Sequence, residues 1–310
     1  MVRLSFPNVE ELKRMHYEAV KSYVSETMHA KKRKGFYYKV IELAGFEAYE
    51  RDYDEEGDTY DWLKHFLLAD CETLVSWVEY HADKLKFDYM KRLYLNRFSK
   101  SPVDYVDKEA TYNAYTLFKK MNIRVCPYCE HEFLDVVSVN HGMQTKRTVE
   151  FDHFYPKGDE DYPGLAMCFY NLIPSCKPCN QLKMTNPVAA NPYNPDIENL
   201  TNLCPDIPVG INIDDLSEAD CKIKINPIGS MIVNESTLAL EQRYDSQTSV
   251  AYQLLKCKQD FDDDKLLELE RLGIGTVSEL KREIFGKPRD EARGFELHTK
   301  MKYDLSLIHI

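Results

Sequence analysis

Two Cys-x-x-Cys pairs are the most chemically informative feature of this 310-residue sequence. They are Cys126 with Cys129 and Cys176 with Cys179. A gap of two residues lets both thiolates of one turn face a single ion, and two such turns complete a tetrahedral Cys₄ zinc site. A closed site of this kind is structural, because no coordination position remains for a substrate. The alternative interpretation is that four free core thiols share this spacing by chance.

Side chains between and beside the pairs suit a harder ion than zinc. Asp152 and Asn180 offer oxygen ligands, which magnesium and manganese prefer. His153 follows Asp152 directly, and a neutral imidazole there can take a proton from water near neutral pH. Because Phe154, Tyr155 and Pro156 come next, we expect the strand to end here, so that both side chains can approach one phosphate. Taken alone, an Asp-His pair is usually a surface or structural pair.

The combination of these residues resembles the HNH endonucleases, whose ββα-metal motif places two strands and a helix around one divalent ion. The matching segments are VEFDHFYPK at 149–157, NLIPSC at 171–176 and CNQLK at 179–183. The resemblance implies that His153 is the general base and that Asp152 and Asn180 hold a catalytic Mg²⁺ or Mn²⁺. It also implies that Asn171 braces the loop between the strands and helps to orient the histidine. Asn180 stands where many members carry histidine, and the flanking cysteines match the zinc-bearing branch.

Four further side chains near these segments have two interpretations each. Lys183 and Lys157 are candidate phosphate ligands, and both are equally consistent with solvated lysines. We expect His131, just past the first cysteine pair, to be a solvated loop residue, although it could also support the zinc ligands. Cys168 has no partner cysteine, and we interpret it as a buried thiol on the second strand.

A looser similarity extends to the HNH nucleases of bacterial anti-phage defence, notably the nuclease subunit of Septu systems. It depends on Cys-x-Tyr-Cys-Glu at 126–130, HFYPK at 153–157, NPYNP at 191–195 and the region 298–304. This similarity implies an effector nuclease that works with an ATPase partner subunit and destroys nucleic acid, either DNA or RNA such as tRNA. The alternative function is a non-catalytic zinc-binding adaptor in a nucleic-acid-processing complex.

The sequence predicts an α+β protein, mainly helical, with a central zinc-stapled ββα-metal core. We divide it into a helical N-terminal region (1–120), the nuclease core (121–195) and an acidic α/β-to-helical C-terminal region (196–310). Apolar periodicity and capping boxes predict helices near 9–23, 62–80, 87–98, 108–120, 249–272 and 276–286. Short β-prone runs predict strands at 147–151, 169–173, 222–225 and 231–233.

The net charge of −11 argues against broad, charge-driven binding of nucleic acid. The charge is uneven, however: −1 in 1–120, −2 in 121–195 and −8 in 196–310. We therefore predict that the near-neutral core binds nucleic acid weakly alone, and that a partner supplies positive surface or docks on the acidic region. No apolar run approaches the roughly 20 residues that span a bilayer, and no signal peptide is visible. We expect a soluble, cytoplasmic protein without membrane contact.

Overall fold

The computed structural model describes residues 1–28, 34–43, 45, 61–100, 112–139, 144–208, 211 and 213–307. It divides into two compact units, each made of separate stretches of chain. The C-terminal unit comprises 1–4, 124–133 and 187–310, and the N-terminal unit comprises 5–123 and 134–186. Among the described residues, no helix is long and apolar enough to cross a membrane.

Each unit joins stretches of chain that are far apart in the sequence. The first residues of the chain pack with later segments, because the Val2 amide donates to the Pro127 carbonyl (3.0 Å) and the Leu4 amide to the Pro192 carbonyl (2.7 Å). The first cysteine turn therefore belongs to the C-terminal unit. The predicted regions record changes in composition along the chain, and the units record which segments pack together.

The described part of the N-terminal unit consists of helices and two small sheets. The strands are β1 (Val136–Val139), β2 (Gln144–Arg147), β3 (Val149–His153) and β4 (Leu172–Cys176), and they pair as β1 with β2 and β3 with β4. The helices are α1 (Val9–Met28), α2 (Lys34–Leu43), α3 (Asp61–Leu67), α4 (Cys71–Tyr80), α5 (Ala82–Leu85), α6 (Tyr89–Leu93), α7 (Ala114–Met121) and α8 (Lys177–Lys183). Residues 108–111 of one predicted helix lie outside the described residues.

The C-terminal unit places helices against one two-stranded sheet. The sheet pairs β5 (Thr201–Asp206) with β6 (Lys222–Pro227) in antiparallel register. The helices are α9 (Met231–Leu238), α10 (Leu240–Asp245), α11 (Thr248–Asp260), α12 (Asp263–Arg271), α13 (Val277–Phe285), α14 (Arg289–Ala292) and α15 (Thr299–Ser306). The predicted capping box is confirmed, since Thr276 and Glu279 bond reciprocally at the start of α13.

Strands β3 and β4 with helix α8 form a ββα unit. The two strands are antiparallel, with Val149 opposite Cys176 and His153 opposite Leu172, and α8 packs on both. The chain enters α8 directly from β4, because the Cys176 sulfur accepts the Cys179 amide as an N-cap and Pro178 occupies the first turn. The structure is thus α+β and mainly helical, with small sheets.

A turn rich in buried residues supports the end of β3. This 3₁₀ turn, Pro163–Met167, is wholly buried and packs against α6. The turn lies so close to Leu85 and Phe87 that position 164 must be glycine. A Cβ there would lie 2.6 Å from the Leu85 carbonyl oxygen and 2.7 Å from the Phe87 ring. The turn places the Ala166 carbonyl within hydrogen-bond distance of His153.

Several predicted elements differ from the structure. Positions 231–233 are helical, because Met231, Asn234 and Leu238 are buried at helical spacing in α9 and this packing outweighs the β-propensity of three residues. Strand β5 lies where no strand was predicted, and Pro205 is tolerated in it because a two-stranded sheet has only edge strands. The predicted strands at 147–151 and 169–173 are shifted by two to three residues toward the C-terminus in β3 and β4.

Candidate functional site

The four predicted zinc ligands lie together. The sulfur atoms of Cys126, Cys129, Cys176 and Cys179 are all within 4.8 Å of one another, and the four residues are buried. A tetrahedral zinc ion with Zn–S bonds of about 2.3 Å separates its sulfurs by about 3.8 Å, so the spacing is close to that of a metal site. This cluster can bind a metal such as zinc.

Backbone and side-chain N–H groups surround two of these sulfurs. The Cys129 sulfur accepts from the Arg243 guanidinium (3.4 Å) and the His131 amide (3.5 Å). The Cys176 sulfur accepts from the Cys179 amide (3.4 Å). Such donors stabilise thiolates, which are the form of cysteine that binds metal.

The expectation that His131 is a solvated loop residue is wrong. Its ring packs edge-on against Tyr244 and His298, with centroids 4.5 and 4.8 Å apart. Both ring nitrogens are buried and have no hydrogen-bond partner in the described residues. Burial is the main cause that lowers the pKa of His131 to about 4, so the ring is neutral at pH 7.

Two of the segments on which the similarity to Septu nucleases depends, 126–130 and 298–304, meet in the core of the C-terminal unit. Glu130 is fully buried, and its carboxylate accepts from the Lys300 amide (3.2 and 3.3 Å) and the Tyr244 hydroxyl (3.4 Å). Burial raises the pKa of Glu130 to about 7. The Lys300 ammonium is buried against the Asp304 carboxylate at 2.6 Å. These residues hold the segment after the first cysteine turn against α15.

His153 lies at the last position of β3 with its ring almost completely buried. Its Nε2 is 3.1 Å from the Ala166 carbonyl oxygen, and its Nδ1 is 3.4 Å from the Lys157 ammonium. Because a carbonyl only accepts and an ammonium only donates, Nε2 carries the proton and the lone pair of Nδ1 accepts a hydrogen bond from Lys157. Burial, followed by the charge of Lys157, holds the pKa of His153 well below its usual value. The imidazole is therefore neutral, with Nδ1 as its basic atom.

The ring of His153 is held on its other side by Tyr94. The two rings meet edge to face with centroids 4.5 Å apart, and the Tyr94 hydroxyl donates to the Phe151 carbonyl (3.4 Å). Tyr94 begins a π-helical turn, Tyr94–Phe98, that follows α6. Such turns are frequent at functional sites, because they move one side chain out of helical register.

Asp152 is buried beside the ammonium group of Lys183. The Lys183 nitrogen lies 3.2 Å from Asp152 Oδ1 and donates to the His153 carbonyl at 2.6 Å. Lys183 is wholly inaccessible to solvent, so neither the expected phosphate contact nor the solvated-lysine alternative describes it here. The reason is its position one turn after Asn180 on α8, which faces β3.

Asn171 ties the end of β3 to the buried 3₁₀ turn. Its Oδ1 accepts the Tyr155 amide (2.7 Å), and its Nδ2 donates to the carbonyls of Tyr155 (3.2 Å) and Leu165 (2.9 Å). The Asn171 carbonyl also accepts the Phe154 amide at 3.0 Å. Every polar atom of the side chain is thus used to fix the chain that follows His153.

Glu150 is a site residue that the sequence interpretation missed. Its carboxylate accepts a hydrogen bond from the Asn180 side-chain amide. Glu150 and Asp152 are two residues apart on β3, so both side chains point to the same face of the strand. This alternation was the available signal, because it brings a second carboxylate to the face that Asn180 approaches.

Lys157 and Cys168 complete the set of predicted positions. Lys157 is half-buried, its nitrogen lies 5.0 Å from the centroid of the Tyr94 ring, and burial lowers its pKa. It is therefore placed at His153 rather than in open solvent. Cys168 is buried as expected and donates to the Phe66 carbonyl (3.4 Å), but it lies in a turn before β4 and not on the strand.

Comparison with known proteins gives one relevant similarity. The chain is 34% identical over 84 residues to the Septu protein PtuB of Bacillus thuringiensis. The aligned part is 27% of this chain and 28% of that protein's length. This match and the four-cysteine cluster agree with the resemblance to Septu proteins drawn from the sequence motifs. No protein-family model and no solved structure matches the chain.

Proposed function

We propose that this chain is a metal-dependent HNH endonuclease that hydrolyses phosphodiester bonds of nucleic acid. The observation that carries the proposal is His153, a buried neutral imidazole whose Nε2 is fixed by the Ala166 carbonyl and whose unprotonated Nδ1 faces the Lys157 ammonium. It lies directly beside Asp152 at the end of the first strand of a ββα unit. This is the arrangement that a positioned general base requires.

The oxygen donors around Asp152 fit a hard divalent cation. Asp152, Asn180 and Glu150 supply two carboxylates and one amide, which suit Mg²⁺ or Mn²⁺ rather than zinc. The structure already accommodates a positive charge here, because the Lys183 ammonium contacts Asp152 at 3.2 Å. Asp152 and Asn180 would hold the catalytic metal, which when bound would neutralise charge on the phosphate and the leaving oxygen.

The protein's own groups then prepare the attacking water. In this proposal Lys157 moves from Nδ1 of His153 to the phosphate, and Nδ1 then takes a proton from water. The resulting hydroxide attacks phosphorus, the bond from phosphorus to the 3′ oxygen breaks, and the departing oxygen takes a proton from solvent. The Ala166 carbonyl fixes the tautomer and the angle of the ring, while Tyr94 packs against its face. Asn171 keeps the loop after β3 in place. Lys157 favours the neutral imidazole through its charge, and in this proposal it also approaches the phosphate.

We further propose that the nuclease is the effector of an anti-phage defence system and works with an ATPase partner. The similarity to a Septu protein supports the defence role. The near-neutral charge of residues 121–195 supports a partner, because a nuclease core without excess positive charge gains little affinity from phosphate contacts. The test is cleavage of plasmid, oligonucleotide and total RNA by the purified chain with Mg²⁺ or Mn²⁺, with and without such a partner.

Glu150 is expected to orient Asn180 for metal binding. Replacing Glu150 with alanine should raise the Mg²⁺ or Mn²⁺ concentration for half-maximal cleavage by about 10–100-fold, the usual cost of losing a group that orients a metal ligand. Glu150→Gln retains an acceptor for the Asn180 amide, so it should recover most of this loss. Cleavage rates measured across a metal titration provide the comparison.

The exposed Glu160 provides the matched control for this experiment. Glu160→Ala should leave the metal dependence unchanged. If Glu150→Gln is as impaired as Glu150→Ala, the charge of Glu150 matters and it acts as a ligand. If all three variants match the wild type, Glu150 has no part in the site.

A further inference from the structure

The acidic C-terminal region contains a pocket lined by positive charge. The pocket has a volume of about 280 Å³ and lies where α11, α13 and α15 meet. Among the described residues, its lining has no acidic side chain but includes five cations, which are Lys258, Lys281, Arg282, Lys287 and Lys302. Residues 196–310 carry 14 basic and 22 acidic side chains. More than a third of the basic residues of this region thus line one pocket.

The carboxylates that pair with these cations lie outside the pocket lining. Asp263 contacts Lys281 (2.9 Å), Glu291 contacts Arg282 (2.8 Å), and Glu296 contacts Lys287 (3.3 Å) and Lys302 (3.7 Å). Partly exposed pairs of this kind contribute about 0–1 kcal/mol each. A ligand with several negative charges can therefore compete for the same ammonium and guanidinium groups.

The turn that closes the pocket is specific to glycine. Gly286 ends α13 with φ 91° and ψ −177°, a region of backbone space that is open almost only to glycine. A Cβ at this position would lie 3.6 Å from a Glu296 carboxylate oxygen and 3.8 Å from the Lys302 nitrogen. Lys287, directly after this turn, lines the pocket together with Arg282.

The remaining lining residues indicate the class of ligand. Ser278 adds a hydroxyl group, while Phe285 and Tyr303 add aromatic surface. The hydroxyls of Thr299 and Ser306 already donate to the carbonyls of Glu296 (2.9 Å) and Tyr303 (2.7 Å). Arginine, lysine and hydroxyl donors together recognise phosphate, and aromatic rings stack on bases. The volume is near the lower end of small-molecule sites, which fits one nucleotide rather than a strand.

We propose that this pocket binds a nucleoside phosphate, with the five cations on the phosphates and the aromatic residues on the base. The same chemistry can come from a free nucleotide or from the phosphorylated end of a nucleic acid strand. None of the lining residues belongs to the proposed nuclease site, so the two proposals succeed or fail separately.

The test is isothermal titration calorimetry on the full, zinc-loaded chain without added Mg²⁺ or Mn²⁺, which prevents metal-dependent cleavage. The probes are ATP, inorganic triphosphate, and an oligonucleotide with either a 5′-phosphate or a 5′-hydroxyl. The double variant Arg282→Gln/Lys302→Gln should weaken ATP binding at least tenfold. The matched control is Lys265→Gln/Arg271→Gln on exposed positions of α12, which should bind as the wild type does. Circular dichroism melting checks that both variants are folded.

Each outcome bears on the proposal. Tighter binding of ATP than of triphosphate supports a nucleoside phosphate, and preference for the 5′-phosphorylated strand over ATP assigns the ligand to a strand end. Equal affinity for ATP and triphosphate contradicts the role of the base. Absence of binding by every probe at 1 mM, or equal loss in both double variants, overturns the site.

Discussion

Replacing Cys176 with serine is expected to remove the metal and destabilise the fold. Serine cannot supply the fourth thiolate, and the amide of Cys179 loses its sulfur acceptor. Zinc content should fall from one ion per chain to near zero, and the melting temperature by on the order of 10 °C or more, because structural zinc binding is coupled to folding. Metal analysis by plasma mass spectrometry and thermal melting measure the two effects.

Cys257 provides the control for this variant. It is half-buried on α11 and lies outside the four-cysteine cluster. Cys257→Ser should keep the zinc and the melting temperature of the wild type. Full zinc occupancy and an unchanged melting temperature in Cys176→Ser would show that the zinc is not held by these four cysteines.

Replacing Lys183 with methionine is expected to lower the free energy of unfolding by about 3–5 kcal/mol. Both members of the Lys183–Asp152 pair are buried, so the variant removes the buried cation that contacts this carboxylate. The His153 carbonyl also loses a donor. Urea denaturation in buffer without Mg²⁺ or Mn²⁺ measures the loss. Adding millimolar Mg²⁺ or Mn²⁺ should restore part of it, because Asp152 is the proposed metal ligand.

Two further variants serve as comparisons for Lys183→Met. Lys177→Met changes an exposed lysine on the same helix and should stay within about 0.5 kcal/mol of the wild type. The double variant Lys183→Met/Asp152→Asn removes both charges and should be more stable than Lys183→Met alone. A Lys183→Met protein as stable as the wild type would show that the buried ion pair does not form.

The local order of the site could be predicted from sequence because it depends on short-range patterns. The Cys-x-x-Cys spacing, the strand that ends at His153 and the helix that begins after Cys176 all involve residues close together in the chain. Their geometry follows from turn chemistry and from the missing N–H of Pro178. The capping box at Thr276 was predictable for the same reason.

The environments of the same residues could not be predicted, since they depend on contacts across long stretches of chain. From the sequence alone, Lys183 resembles an ordinary helix lysine. Its environment depends on β3, which lies 30 residues away along the chain but beside Lys183 in space. His131 reads as a loop residue until Tyr244 and His298 cover it. Glu150 becomes a site residue only through its bond to Asn180. Burial and pairing set the charge of a site, and periodicity along the sequence does not report them.

The clustering of positive charge in the C-terminal unit could not be predicted from the sequence for a related reason. A net charge of −8 over 196–310 suggested a uniformly acidic region. Lysines and arginines as far apart as Lys258 and Lys302 nevertheless line one pocket. Net charge along a sequence sums over surfaces that the fold separates, so it predicts overall repulsion and not local binding.

The most direct test of the proposed endonuclease is the cleavage rate of the purified wild type and His153→Ala on the same nucleic acid. With Mg²⁺ or Mn²⁺, the wild type should cut at least one of plasmid, oligonucleotide and RNA. His153→Ala should be slower by about 10²–10⁴-fold, the contribution of a positioned general base, with the same zinc content and a folded melting profile. Equal cleavage by both proteins, or no cleavage of any substrate with the partner present, would contradict the proposal and favour a non-catalytic zinc-binding adaptor.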